Sequence, residues 1–172
     1  MKEVSFGRGC RGVCVLFGAA ILLDQATKIF VRHTMSLGTS IPVLGHVLRI
    51  TYVENPGIAF GIRVNNGTLF TVLSVLASVG VAVYLFTHWN EGMGVKGSLA
   101  LILGGALGNL MDRILYQRVV DFIDVGIRDL RWPVFNIADS CVVIGMFLLF
   151  FSFFISDQRK EKEKQEGIQK AE

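Results

Sequence analysis

Charge, cysteine and histidine are all scarce in this chain. Only 18% of its 172 residues are charged, where a soluble domain carries roughly a quarter. With 52% hydrophobic residues and a mean hydropathy of +0.53, an ordinary soluble domain is excluded. The cysteines Cys10, Cys14 and Cys141 are too few and too irregular for a disulfide framework; they read as small buried hydrophobes. The histidines His33, His46 and His88 are isolated, and no second paired-cysteine motif accompanies Cys10 and Cys14. No metal site and no cofactor are expected. No serine–histidine or cysteine–histidine pair offers nucleophilic catalysis. The basic residues are scattered, with a net charge of +3 and no stripe interleaved with aromatics, so nucleic acid is not an expected partner. There is no internal repeat.

What is present is a set of long apolar runs. A bilayer core needs about 20 mostly apolar helical residues, and four stretches qualify. The first runs from about Gly12 to Val31 and carries Asp24 and Lys28 on its later part. The basic start and the run from Val13 to Leu23 resemble a secretory signal, but Asp24 to Lys28 is not a small-residue cleavage site, so an uncleaved first span is expected. The second, Val64 to Thr87, is free of charge. The third, Gly97 to Met111, is glycine-rich (Gly104, Gly105, Gly108), which permits close helix–helix approach. The fourth, about Val134 to Ser156, is interrupted only by Asp139.

The sequence therefore predicts an all-α membrane protein with four transmembrane helices and a small extracytoplasmic β element. The β element comes from the first connection. Val47 to Val53 is rich in β-branched and aromatic residues and reads as a strand; Ile58 to Val64 reads as a second, with Asn55-Pro56-Gly57 as the turn. Residues Val119 to Ile123 read as an amphipathic interfacial segment. The His88 to Lys96 connection is short and polar. Residues 1–157 form one membrane domain, and 158–172 a mixed-charge cytoplasmic tail, either a solvated helix or disordered. Loop charge decides orientation poorly, nine basic residues against eight; cytoplasmic termini are favoured because several of the eight lie in motifs with work of their own.

The few intramembrane charges carry the functional signal, because a charge at bilayer depth is costly. Four alternating crossings bring five elements to one face: Asp24 and Lys28; Asn55 and Gly57; Asn109, Asp112 and Arg113; Asp121; and Asn136 and Asp139. Each has a plainer explanation. Asp24 and Lys28 are spaced i, i+4 and can neutralise each other. Asp112 and Arg113 suit an interfacial ion pair at a helix end. Asn136 and Asp139 suit an N-cap with its returning acid, although a cap has no need to lie deep in an apolar span. Asp121 has Asp124 and Asp129 as competitors, and spacing does not choose among them. Trp89 and Trp132 read as interfacial belt residues.

At these residues the chain resembles the lipoprotein signal peptidase family, also called signal peptidase II. The resemblance rests on five strings in order: DQATK (Asp24 to Lys28), ENPGIAFG (Glu54 to Gly61), GGALGNLMDR (Gly104 to Arg113), VVDFID (Val119 to Asp124) and FNIADS (Phe135 to Ser140). It implies an aspartic endopeptidase of the bacterial inner membrane, with its site facing the extracytoplasmic side. It implies a prolipoprotein substrate already carrying diacylglycerol, cut just before the lipidated cysteine. It further implies Asp121 and Asp139 as the catalytic pair. Asp24, Lys28, Asn55, Gly57, Asn109, Asp112, Arg113, Asn136 and Ala138 match positions that shape or polarise the family's site. Membrane lipids are the other expected partner, and the protein is expected to act as a monomer. Ile58 stands where the family often has alanine.

Two carboxylates sharing one proton can activate water. The N-terminus of the fourth span favours a negative charge at Asp139, so Asp139 is the expected ionised member. Two other classes fit intramembrane acids: a proton-coupled carrier or channel, against which stands the lack of two related halves, and an assembly subunit with structural ion pairs.

Overall fold

The computed structural model describes residues 6–59, 62–63 and 67–169. The chain runs α1 (Phe6–Thr34), β1 (Ser40–Leu44), β2 (Leu48–Asn55), β3 (Ile58–Ala59), β4 (Ile62–Arg63), α2 (Gly67–Thr87), α3 (Met93–Tyr116), β5 (Val119–Ile127), β6 (Leu130–Arg131) and α4 (Ile137–Gln169). Four helical segments are long and apolar enough to cross a membrane: Gly9–Thr34, Thr68–Thr87, Met93–Tyr116 and Ile137–Ser156.

All four expected spans form, and three begin or end beyond the apolar run that announced them. The helix propagates into polar flanks because each added residue closes another backbone hydrogen bond. The start expected at Val64 lies outside the described residues. Lys96, expected in a loop, lies in the first turn of α3 and is buried. Asp139, expected deep within a span, lies in the first turn of α4. Helix α4 continues past the membrane segment into the mixed-charge tail as far as Gln169.

Helix α3 is the axis of the bundle, touching α1, α2 and α4. It is the most buried span, whereas α2 and α4 present Leu73, Leu76, Phe86, Phe147 and Phe150 outward, as a bilayer-facing surface does. Small residues bring the helices together. A β-carbon on Gly104 would stand 2.8 Å from the Ala20 side chain, and one on Gly105 would collide with the Ala138 carbonyl. Close approach without side chains is what such packing requires.

The β element is larger than the sequence suggests and is connected differently. Strand order is β1-β2-β5-β6, antiparallel throughout, with β3 and β4 as a separate small hairpin. Strand β2 therefore pairs with β1 and β5, not with the segment after Asn55-Pro56-Gly57. That segment breaks into β3 and β4, and part of the expected Ile58 to Val64 strand lies outside the described residues. The segment from Val119 is not a separate interfacial piece but the start of a central strand, in register with Asn55 opposite Val119 and Val53 opposite Asp121. Helix α3 ends at Gln117 in the left-handed conformation, φ 60°, with its N–H on the Arg113 carbonyl. The chain turns there directly into β5, which lays β5 against the end of α3.

Candidate active site

Every residue singled out in the sequence for this face arrives at one end of the bundle. The centre is a buried lysine. Lys28 on α1 is 1% exposed; its Nζ lies 2.8 Å from Asp24 Oδ2, 3.2 Å from Asp112 Oδ2, and donates to Asn109 Oδ1 at 2.8 Å. The i, i+4 pairing of Asp24 with Lys28 is thus real, but it is one arm of a larger cluster. Such a cluster stands in an apolar bundle only if its hydrogen bonds are filled. They are: among the described residues no buried side-chain polar atom lacks a partner.

Backbone N–H groups complete the cluster. Asp24 Oδ1 accepts the Ala138 N–H at 2.9 Å, and Asp112 Oδ2 accepts the Val120 N–H at 3.1 Å. Ala138 and Val120 are the residues immediately before Asp139 and Asp121. The two acids beside Lys28 therefore hold the backbone on which each of the other two acids is mounted.

Asn136 is the N-cap of α4 and forms a capping box with Asp139. Its Oδ1 accepts the Asp139 N–H at 2.9 Å, and Asp139 Oδ2 accepts the Asn136 N–H at 3.2 Å. Capping is what the spacing suggested, and the same side chain does more. Asn136 Nδ2 reaches Asp121 Oδ1 at 2.7 Å and Asn109 Oδ1 at 3.0 Å. Asn109 Nδ2 in turn donates to Asp139 Oδ1 at 2.7 Å. Two amides thus connect Asp121 to Asp139 without a cation between them.

Asn55 closes the other side. Its Nδ2 donates to Asp121 Oδ2 at 3.2 Å, and its Oδ1 accepts the Gly57 N–H at 2.9 Å. Gly57 has φ +111°, a backbone that side chains rarely adopt, and a β-carbon there would strike the Phe70 ring. Glycine at this position is a geometric requirement. Arg113 is half-buried at the end of α3, where its charge interacts with Asp139, Asp121 and Asp112.

Asp121 is 4% exposed. Burial, and secondarily the charge of Asp139, push its carboxyl up to about 7 against the hydrogen bonds of Asn55 and Asn136 and the charge of Lys28. A carboxyl in that range keeps a proton near neutrality. Asp124 behaves oppositely. Burial works against its charge, but the hydrogen bonds from Arg131 and Thr51 outweigh it and hold the carboxyl below its ordinary range. Asp129 lies exposed in the turn between β5 and β6. Of the three competing aspartates, only Asp121 joins the Asn109–Asn136 network.

Gln25 lies in the DQATK string, and the sequence assigns it no role. It does have one: its Nε2 bridges Asp24 Oδ2 (3.1 Å) and the Gly108 carbonyl (3.0 Å). A cleft of about 440 Å³ opens from Asp139 along α4, lined by Trp132, Phe135, Ser140, Val143 and Ile144. It joins a carboxylate to a membrane-facing apolar wall. Among the described residues no cluster of acids, histidines and cysteines is suited to a metal.

Residues 16–155 match the family model described as Signal peptidase (SPase) II. The lipoprotein signal peptidase of Pelotomaculum thermopropionicum is 41% identical over 152 residues, covering 88% of this chain and 97% of that protein. That of Halothermothrix orenii is 47% identical over 129 residues, covering 75% and 86%. That of Bacillus subtilis is 40% identical over 145 residues, covering 84% and 94%. A bacterial membrane enzyme solved by the in meso method at 2.3 Å resolution superposes with a TM-score of 0.76 at 34% identity, covering 86% of this chain and 90% of that one.

Proposed function

The chain belongs to the signal peptidase II family, and we propose that Asp121 and Asp139 are the catalytic pair with which it removes the signal peptide of lipid-modified prolipoproteins. That it is an aspartic peptidase and a multi-pass bacterial membrane protein follows from the family and the four spans. The carrier and assembly-subunit readings are set aside on the same ground. The observation that carries the dyad is the amide bridge through Asn109 and Asn136, which ties both carboxylates together, while burial and the Asp139 charge keep a proton on Asp121 near neutral pH.

In this reading Asp139 is ionised. Its oxygens take hydrogen bonds from the Asn136 N–H and the Asn109 amide at the N-terminus of α4, where negative charge is favoured. Water between the acids attacks the scissile carbonyl carbon and gives a proton to Asp139, while Asp121 gives its own to the carbonyl oxygen. The tetrahedral diol then collapses. The proton on Asp139 passes to the leaving nitrogen, a diol proton returns to Asp121, and the C–N bond breaks. Both acids end as they began. Arg113 and the two asparagines hold charge and geometry around the intermediate.

The cleft below Asp139 fits a peptide whose neighbouring lipid stays in the bilayer. Val143 and Ile144 offer an apolar wall, and Asp139 stands at its head. The bond cut is the one just before the lipidated cysteine, with the site on the extracytoplasmic side, the termini in the cytoplasm and one chain sufficient. The test is incubation of the purified protein in lipid with a diacylglyceryl-modified prolipoprotein. A shorter product whose new N-terminus is the lipidated cysteine, absent with D121N and with D139N, supports the dyad. Normal cleavage by either variant overturns it.

A further inference from the structure

The pole of the bundle farthest from Asp121 and Asp139 holds a second lysine, buried along its stem, that the reaction does not use. Lys96 lies in the first turn of α3 and is 7% exposed. Its Nζ sits 5.2 Å from the centre of the Trp89 ring, and a β-carbon on Gly9 of α1 would lie 3.5 Å from it. Among the described residues no carboxylate pairs with that Nζ. This contrasts with Lys28, whose three partners fill its donors. The Lys96 stem is buried while its ammonium reaches accessible space, so the charge is open to an anion at the membrane surface.

An apolar groove of about 230 Å³ begins at the same place. Cys10, Cys14 and Phe17 of α1, Phe86 at the end of α2, Trp89, and Leu103 of α3 line it. Trp89 belongs both to the groove and to the cation above it. Phe86 is 71% exposed, so the groove opens towards the bilayer. The N-terminus of α3 adds its partial positive charge beside Lys96.

We propose that this groove binds one anionic phospholipid, with an acyl chain lying between α1, α2 and α3 and the headgroup phosphate on Lys96. A chain in the groove covers its apolar walls, and the phosphate pairs with the lysine charge at its mouth. Basic pockets between membrane helices recognise anionic headgroups in this way. A zwitterionic lipid would satisfy the groove equally but would gain less from the lysine, and a partner helix would leave the ammonium unmet.

The two tryptophans make the site readable. In W132F protein, Trp89 is the sole emitter. The full chain is reconstituted in vesicles of equal parts phosphatidylglycerol and phosphatidylcholine, with bromine on the acyl chains of one lipid or the other. Brominated phosphatidylglycerol should occupy the site about fivefold in preference, the scale of one lysine at an anionic surface. K96Q should abolish the preference, and K96R, which keeps the charge, should retain it. Equal quenching by the two lipids in the W132F parent overturns the proposal without any change at Lys96, as does a preference that survives K96Q or is lost in K96R. Protection of Trp89 from both lipids would mean a protein helix fills the groove, and overturns it too.

Discussion

Asn136 and Asp139 cap each other, the Asn136 Oδ1 accepting the Asp139 N–H and Asp139 Oδ2 accepting the Asn136 N–H. The same asparagine reaches Asp121 at 2.7 Å. One helix cap therefore sets the position of both proposed catalytic acids. A residue that would be explained by helix geometry alone is also the link between two elements far apart in sequence.

Replacing either dyad acid should remove cleavage while Asp124 stays dispensable for it. D121N and D139N should each lower the rate by at least about a hundredfold, the lower bound for losing a general acid or base. D124N should still cleave, yet unfold more easily by about 1–3 kcal/mol, because Arg131 and Thr51 lose a buried acceptor. Rates on a prolipoprotein and thermal unfolding in detergent, measured on the same three variants, check both halves.

Activity should fall as pH rises through about 7, the range to which Asp121 is pushed. The sign follows from its role: Asp121 gives a proton to the carbonyl, so losing it above 7 stops the reaction. Asn55 donates to the Asp121 carboxylate and favours its ionised form. N55A should therefore move the alkaline limb of the kcat/KM profile to higher pH. An unmoved limb, or one shifted to lower pH, would remove Asn55 from this role.

Lys28 should be irreplaceable by an apolar residue of similar length. K28M leaves Asp24 and Asp112 buried without their cation, a loss of about 3–5 kcal/mol. D24N/K28M/D112N removes all three charges and should recover much of the melting temperature. Cleavage should stay low in it, because the Ala138 and Val120 N–H groups lose charged acceptors. Melting in detergent alongside cleavage rate separates the two effects.

Gly108 should tolerate no side chain. A β-carbon there would stand 2.6 Å from Asp24 Oδ2. G108A should destabilise by about 1–3 kcal/mol, the usual range for overpacking, and should lower cleavage by displacing Asp24 from Ala138. Gly18 meets nothing within 4 Å, so G18A is the control and should change neither quantity.

Most of the candidate site was legible because few residue types can sit uncompensated in a bilayer. Each of Asp24, Lys28, Asn109, Asp112, Asn136 and Asp139 stood out against an apolar background. Asp121 did not, because it lies in a strand outside the spans with Asp124 three positions on. Alternation along a strand sends residues three apart to opposite faces, so one acid meets Asn136 and the other meets Arg131. That separation is invisible until β5 is known to be a strand. Gln25 was hidden for a similar reason: its bond to the Gly108 carbonyl spans 83 residues.

Composition and hydropathy by themselves determined four membrane helices and a face rich in carboxylates and amides, because a bilayer penalises every charge it receives. Tertiary structure alone decided which donor meets which acceptor. Lys28 draws on Asp112 as well as its helical neighbour Asp24, Asp24 holds a backbone N–H 114 residues away, and β2 pairs with β5 rather than with the strand that follows it. Hydrogen bonds are short and directional. Their pairing is fixed by where helices and strands come to rest, and no local pattern encodes that.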